Sequence, residues 1–129
     1  MKVLNFEDSV YKANAIRKVL NQCGVTKIEL VSNVEDGLQM LKNAEDTGEP
    51  FDLIITDMHY PMKQGAVSDT EAGEKLVQLL QEQGKQTKVI VCSSRNMKLP
   101  GVYGCIWYSE ISDWEEELCD LVREMEENR

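Results

Sequence analysis

The chain has 129 residues, of which 42% are hydrophobic and 29% charged, which fits one folded domain and argues against a disordered chain. Fourteen Lys and Arg residues against 23 Asp and Glu residues give a formal net charge of -9. Because such a surface repels phosphate backbones and anionic lipids, binding to nucleic acid or to a membrane surface is disfavoured. The sequence has no apolar run of about 18 residues, as a membrane-spanning helix requires, and no signal peptide, so we expect a cytoplasmic protein.

Four cysteines stand far apart in the sequence: Cys23, Cys92, Cys105 and Cys119. No Cys-x-x-Cys pair occurs, and His59 is the single histidine, which argues against a zinc site. In the reducing compartment that we expect, the cysteines are predicted to be buried thiols in apolar surroundings.

Five short apolar runs are predicted to be β-strands. They cover residues 3–6, 27–31, 51–57, 88–92 and 104–108. The third run, Phe51-Asp52-Leu53-Ile54-Ile55-Thr56-Asp57, is the most apolar and is rich in β-branched residues. This composition is typical of a central parallel strand that is buried on both faces.

Helical periodicity follows the first, second, third and fifth strands. The predicted helix starts are Ser9, the capping box Ser32–Glu35, Ser68 or Asp69, and the capping box Ser112–Glu115. Gly24 and Gly84 stand where the first and third helices are expected to end. The first helix is expected to bury Val10 together with Ala13 and Ile16.

The alternation of strands and helices predicts an α/β fold, with an open parallel sheet and helices on both of its faces. Right-handed crossovers place the carboxyl ends of all strands at one edge, where ligands bind. That edge would gather Glu7 and Asp8 after the first strand, Asp57 after the third, and Ser93 and Ser94 after the fourth. Clustered carboxylates repel one another unless a proton or a hard cation such as Mg²⁺ lies among them. A carboxylate can also attack phosphorus and form an aspartyl phosphate.

Taken in order, these segments resemble a bacterial response-regulator receiver domain of the chemotaxis-regulator type. The similarity lies in Glu7–Asp8, in residues 32–38, in residues 51–61 with Pro61 four residues after Asp57, and in residues 89–94. It covers essentially the whole chain. The resemblance implies a flavodoxin-like doubly wound sheet of five parallel strands, in the order second, first, third, fourth, fifth. It also implies a single receiver domain over residues 1–129 with no output domain.

The resemblance implies a role for each matching acidic residue. Asp57 would accept phosphate from the phosphohistidine of a partner. Asp8 would bind Mg²⁺ directly, and Glu7 would assist directly or through a water molecule. The backbone carbonyl of His59 would be a further Mg²⁺ ligand beside Asp57.

The resemblance also implies how the group on Asp57 is sensed and used. Ser93 would contact the phosphoryl group, and Ser94 would be the small residue that leaves room for it. The partners would be a histidine kinase or phosphotransfer protein and a downstream protein target, contacted by a monomer or weak homodimer. Such a domain is not an enzyme with an external product, because it catalyses only its own phosphorylation and dephosphorylation.

The chain departs from the family pattern in three places. Tyr108 stands where the family has a lysine after the fifth strand, and we hypothesise from position alone that Arg95 supplies the lost positive charge. Between Ser94 and Gly104 there is room for at most about two helical turns, so the fourth helix is expected to be shortened or missing. Residues 58–68 form a longer loop than the family pattern has.

The sequence has features that bear on three other functions. The missing lysine also fits a pseudo-receiver, which has the same fold but acts as an interaction module without being phosphorylated. An aspartyl-phosphate phosphatase is disfavoured, because such enzymes usually place a second aspartate where this chain has His59. A flavin-binding domain is disfavoured because no Gly-rich or Ser/Thr-rich loop follows the first strand.

Overall fold

The computed structural model of the chain describes residues 1–128, which contain strands β1 to β7 and helices α1 to α4. In chain order the elements are β1 Lys2–Phe6, α1 Val10–Gln22, β2 Lys27–Val31, α2 Val34–Asp46, β3 Leu53–Thr56, β4 Tyr60–Pro61, β5 Ser68–Asp69, α3 Ala72–Glu82, β6 Lys88–Ser93, β7 Gly104–Trp107 and α4 Trp114–Glu127. The fourth and fifth predicted strands are therefore β6 and β7.

The main sheet has five parallel strands in the order β2-β1-β3-β6-β7, which confirms the predicted fold class and strand order. Strand β3 lies at the centre, between β1 and β6, and all four of its residues are buried. Its β-branched side chains suit a strand that is covered on both faces. The parallel pairing brings the carboxyl ends of the five strands to one edge.

Two apolar layers cover the faces of the sheet. Along β3, Leu53 and Ile55 pack with α1 and α4, whereas Ile54 packs with α2 and α3. Successive residues of a strand point to opposite faces, so one buried strand supplies both layers. None of the helices within residues 1–128 has both the length and the apolar character that crossing a membrane requires.

The helix starts agree only in part with the predicted caps. Ser9 caps α1, because its hydroxyl accepts a hydrogen bond from the Lys12 amide. The box predicted at residues 32–35 is shifted by one residue: Asn33 Oδ1 accepts from the Asp36 amide at 2.8 Å, and Asn33 Nδ2 donates to the Asp36 carboxylate. The predicted box before α4 is wrong, because the Ser112 hydroxyl donates to the Trp107 carbonyl instead.

The third helix begins at Ala72, later than the predicted Ser68 or Asp69. Those two residues form β5, which pairs antiparallel with β4 in a small hairpin. The hairpin takes up the additional residues of the loop after β3. Strands of two residues show no period that sequence analysis can detect, so the hairpin could not be predicted.

The segment between β6 and β7 contains no helix in the described part of the chain. Residues 94–103 run as turns and irregular backbone, and Leu99 and Val102 pack against the layer under α2 and α3. The Tyr103 amide donates to the Val89 carbonyl and leads the chain into β7. The fourth helix of the receiver pattern is therefore missing here.

Two sequence expectations about α1 are corrected by the structure. Val10 is 69% exposed, because it lies at the first position of the helix, outside the buried stripe. Cys23, at the end of α1, forms a disulfide with Cys119 of α4, so these two cysteines are not free thiols. Helices α1 and α4 lie on the same face of the sheet, and their packing brings the two Cα atoms to 5.7 Å, a distance that suits a disulfide. Cys92 is a buried thiol as expected, and Cys105 is a half-buried one.

Candidate functional site

The candidate site lies at the carboxyl edge of the sheet, where main-chain hydrogen bonds extend beyond the strands. The Glu7 amide donates to the Val31 carbonyl, and the Asp57 amide donates to the Phe6 carbonyl at 3.1 Å. The Tyr108 amide donates to the Ser93 carbonyl at 2.7 Å. These bonds continue the parallel ladders by one residue and so hold the site residues on a rigid frame.

A lysine that sequence analysis did not single out lies among the acidic residues. Lys12 Nζ donates to the Cys92 carbonyl at 2.6 Å and lies 3.0 Å from Glu7 Oε1 and 3.4 Å from Asp57 Oδ2. Its side chain is only 8% exposed. The signal was present in the sequence, because Lys12 has helical spacing to Ile16 and lies on the same buried stripe of α1.

The charges around Lys12 determine its protonation state. Burial on its own would lower the pKa of Lys12, but the nearby acidic groups, Asp57 first among them, raise it above its ordinary 10.5. Burial raises the pKa of Glu7 above its ordinary 4.5, although Lys12 and the Ser9 amide oppose that shift. Lys12 is therefore an ammonium ion at neutral pH. Burial disfavours the charged form of Glu7.

Glu7 and Asp8 are adjacent in sequence but lie in different surroundings. Glu7 is 2% exposed, and its second oxygen accepts a hydrogen bond from the Ser9 amide at 3.0 Å. Asp8 is exposed to solvent. The acidic pair is thus divided into one buried residue that is ion-paired with Lys12 and one residue that remains open to a ligand from solvent.

The oxygen donors at this edge suit a hard cation such as Mg²⁺ to different degrees. Within residues 1–128 no three acidic, histidine or cysteine side chains are grouped closely enough to hold a metal by themselves. Asp57 is 17% exposed, and its Oδ1 accepts the Met58 amide at 2.7 Å. Asp8 and Asp57 carry the hard oxygen donors that Mg²⁺ prefers, and Mg²⁺ usually keeps several water ligands, so the chemistry of these two donors suits the ion. Glu7 fits it less well, because its side chain is buried, its Oε1 is ion-paired with Lys12 and its Oε2 accepts the Ser9 amide, although Oε1 has no hydrogen-bond partner.

A cavity of about 310 Å³ opens beside Asp57. It is lined by Asp57, Met58, His59, Thr70, Ser93, Ser94 and Arg95. A water molecule takes up about 30 Å³, so the cavity can hold a phosphoryl group together with several water molecules. Thr70 was not predicted here; it enters the lining because the β4–β5 hairpin places the residue after β5 against the site.

Ser93 and Arg95, the hydroxyl and the cation in the cavity wall, differ in their exposure to solvent. Ser93 is 2% exposed, and its hydroxyl accepts a hydrogen bond from the Arg95 amide at 3.1 Å. Arg95 is exposed, and its guanidinium has no ion pair among the described residues. Ser94 is also exposed, and its carbonyl accepts the Trp107 indole N–H.

Tyr108 does not supply the charge of the lysine that the family pattern has at its position. Its ring packs against Trp114 with centroids 4.9 Å apart, and Lys12 Nζ lies 5.2 Å from the centre of the Tyr108 ring. An ammonium at that distance is attracted by an aromatic ring. Tyr108 therefore forms part of the wall around Lys12.

The first turn of α3 lies directly against the backbone of Asp57. The Gly73 amide donates to the Met58 carbonyl at 3.2 Å, and a Cβ atom at Gly73 would collide with the Asp57 carbonyl oxygen. No side chain fits there unless helix and loop move apart.

We expect Gly73→Ala to lower the free energy of unfolding by about 1–3 kcal/mol, as overpacking of a tight contact does. It should also shift the backbone amide resonances of Asp57 and Met58 in a two-dimensional NMR spectrum. The matched control is Glu74→Ala at the next, exposed position of α3, which should leave those resonances in place. Equal spectra for both variants would contradict the close contact.

Comparisons with known proteins identify the fold. No protein-family model and no curated protein matches the sequence. The structure is similar to a response regulator in red light signaling of R. palustris, with 19% sequence identity, a TM-score of 0.68, and coverage of 93% of this chain and 90% of that one. It is also similar to a chemotaxis response regulator of Vibrio cholerae, with 20% identity, a TM-score of 0.66, and coverage of 96% and 97%.

A third similar structure is the receiver domain of a sensor histidine kinase from Pseudomonas aeruginosa, with a magnesium ion coordinated in its active site cleft. It is 19% identical, has a TM-score of 0.63, and covers 97% of each chain. The structural neighbours are thus response-regulator receiver domains, and the chain has the receiver fold, a flavodoxin-like α/β arrangement. This confirms the fold expected from the sequence resemblance.

Proposed function

We propose that the chain is a receiver domain of a two-component system, phosphorylated on Asp57 with Mg²⁺. The observation that carries the proposal is the place of Asp57. It follows the central strand β3 at the carboxyl edge and borders a cavity whose wall includes Ser93 and Ser94. A carboxylate beside such a cavity can reach the phosphorus of a bound phosphodonor.

Mg²⁺ would be held by Asp8, Asp57 and the backbone carbonyl of His59. When bound, the ion would neutralise charge that develops on the phosphoryl oxygens. The role of Glu7 would differ from the one that the resemblance implies, because Glu7 is paired with Lys12. In this site Glu7 would position the lysine instead of binding the metal.

The transfer itself needs one bond to form and one to break. An oxygen of the Asp57 carboxylate would attack phosphorus as the bond from phosphorus to the imidazole nitrogen of a phosphohistidine breaks. The imidazole leaves with the electron pair, and a proton from water returns it to its ordinary state. The Ser93 hydroxyl would donate a hydrogen bond to a phosphoryl oxygen, and the small side chain of Ser94 would leave room for the group.

The partners follow from the same proposal. The donor would be a histidine kinase or phosphotransfer protein, and the output would pass through contact with a downstream protein. The formal net charge of -9 favours protein partners over nucleic acid or anionic membranes. The domain would have no external product, would act in the cytoplasm, and would be a monomer or weak homodimer.

Incubation with a small phosphodonor such as acetyl phosphate and Mg²⁺ is expected to give about one acid-labile phosphate per chain. Asp57→Ala should abolish the label, because no other carboxylate follows the central strand. The matched control is Asp46→Ala at the exposed end of α2, which should be labelled as the wild type is. Intact mass and acid lability provide the measurement. An unlabelled wild type, or a label that remains in Asp57→Ala, would refute the proposal.

One observation favours a second candidate, the pseudo-receiver that is not phosphorylated. The Lys12 ammonium already neutralises part of the charge of Glu7 and Asp57. A site balanced in this way could keep its shape without Mg²⁺ and act as a constant interaction module. Absence of Mg²⁺ binding by calorimetric titration would support this candidate, and stoichiometric phosphorylation would exclude it.

A further inference from the structure

The acidic site contains a buried cation that the receiver pattern does not place there. Among residues 1–128, Lys12 is the only lysine or arginine that is buried. Its ammonium reaches the site from the first turn of α1, across the edge of the sheet, to the Cys92 carbonyl at the end of β6. The family's lysine would come from the opposite side, after β7, where this chain has Tyr108.

The hydrogen bonds of Lys12 leave one direction open toward Asp57. An ammonium has three N–H donors. The Cys92 carbonyl accepts one of them at 2.6 Å, and Glu7 Oε1 forms an ion pair with the ammonium at 3.0 Å without a well-aligned hydrogen bond. The third partner, Asp57 Oδ2, lies at 3.4 Å, which is longer than the roughly 2.7–2.9 Å of a charge-assisted hydrogen bond. At least one N–H of Lys12 is therefore available to a stronger acceptor on Asp57.

A phosphoryl group on Asp57 would be such an acceptor. It adds strong acceptor oxygens and further negative charge next to the ammonium. Buried charges are screened by salt and solvent far less than exposed ones. The exposed Arg95 guanidinium, at the outer wall of the cavity, would contribute less for the same reason.

We infer that Lys12, carried on α1, is the residue that pairs with the phosphoryl group on Asp57, in place of the lysine missing after β7. The inference rests on the proposed function. Glu7 and the Cys92 carbonyl fix the ammonium, and the Tyr108 ring closes its other side. Phosphorylation would then act on α1 through Lys12, whereas in the family pattern it acts on the last strand of the sheet.

The test compares beryllofluoride, a phosphoryl mimic, with Mg²⁺ alone, by calorimetry on the full chain. We expect Lys12→Met to weaken beryllofluoride binding at saturating Mg²⁺ by about tenfold or more, as loss of a charge-assisted hydrogen bond does. The affinity for Mg²⁺ alone should be unchanged or tighter, because a positive charge has been removed from beside Asp57. If the role of Lys12 were purely structural, Lys12→Met would weaken the binding of beryllofluoride and of Mg²⁺ alike. Lys18→Met, at an exposed position of the same helix, is the matched control and should bind both as the wild type does.

Two further variants sharpen the outcome. Arg95→Ala should weaken beryllofluoride binding less than Lys12→Met does. If Lys12→Met is too unstable to measure, the beryllofluoride affinity of the double variant Glu7→Gln/Lys12→Met is compared with that of Glu7→Gln alone. The double variant removes both buried charges and so leaves neither without its partner.

Each result bears on one of the two proposals. Selective loss of beryllofluoride binding in Lys12→Met supports the inference. Wild-type affinity in Lys12→Met, equal loss of both ligands, or a larger loss in Arg95→Ala overturns it and leaves the proposed function standing. A wild type that binds neither Mg²⁺ nor beryllofluoride refutes the proposed function, and the inference with it.

Discussion

Replacing Lys12 by methionine is expected to lower the free energy of unfolding by about 3–5 kcal/mol, the usual cost of breaking a buried ion pair. Glu7 is 2% exposed and would be left as a buried carboxylate without its counter-ion. The Cys92 carbonyl would also lose its hydrogen bond from Lys12. Equilibrium unfolding in urea at pH 7, in the absence of Mg²⁺, measures the change.

A double-mutant cycle separates the ion pair from the rest of the packing. Glu7→Gln/Lys12→Met removes both charges, so we expect it to be more stable than Lys12→Met alone. Lys18→Met should remain within about 0.5 kcal/mol of the wild type, as exposed substitutions do. If Lys12→Met were as stable as Lys18→Met, Lys12 would not be the buried partner of Glu7 that the structure shows.

The same pair gives stability a dependence on pH. The folded pKa of Lys12 is raised above 10.5, so its contribution is fully present below pH 10.5 and is lost as the pH rises through the folded pKa. The folded pKa of Glu7 is also raised, so the contribution of Glu7 is fully present below pH 4.5 and is lost as the pH rises through its own folded pKa. The alkaline loss should be weaker in Lys12→Met than in the wild type.

Much of the fold could be predicted because it depends on local patterns. Short β-branched runs alternate with helical periodicity, and that order determines a parallel sheet with two covering layers. Strand β2 was predicted with its observed bounds. Strand β3 was predicted too long, because the predicted strand also included Phe51 and Asp52 before it and Asp57 after it. The hairpin of β4 and β5 was missed because strands of two residues leave no period to detect.

The site could be predicted only as far as topology determines it. The ends of parallel strands meet at one edge, so the positions of Glu7 and Asp57 follow from strand order alone. The position of Lys12 depends on which atoms approach it from β6, a segment 80 residues away in sequence. Its place on a buried stripe of α1 is a signal in the sequence, but lysines at such positions more often extend their charged ends to solvent.

Reducing the disulfide between Cys23 and Cys119 is expected to lower the free energy of unfolding by about 2–5 kcal/mol. The bond joins residues 96 positions apart, so it closes most of the chain into one loop and restricts the unfolded state. Urea unfolding with and without a phosphine reductant measures the change. Cys23→Ser/Cys119→Ser should behave as the reduced wild type in both conditions.

The matched control is Cys105→Ser, which replaces a half-buried free thiol. Reduction should lower its free energy of unfolding by as much as it does in the wild type. Alkylation of the oxidised protein at pH 8 should label Cys105 but not Cys92, because burial raises the pKa of Cys92 to about 12. A wild type equally stable with and without reductant would show that packing alone holds α1 against α4.

Since a cytoplasm keeps most thiols reduced, the reduced form is the one to compare with the proposed function there. Lys12 lies on α1, so that comparison also shows whether its ammonium stays at Asp57 when the far end of the helix is released.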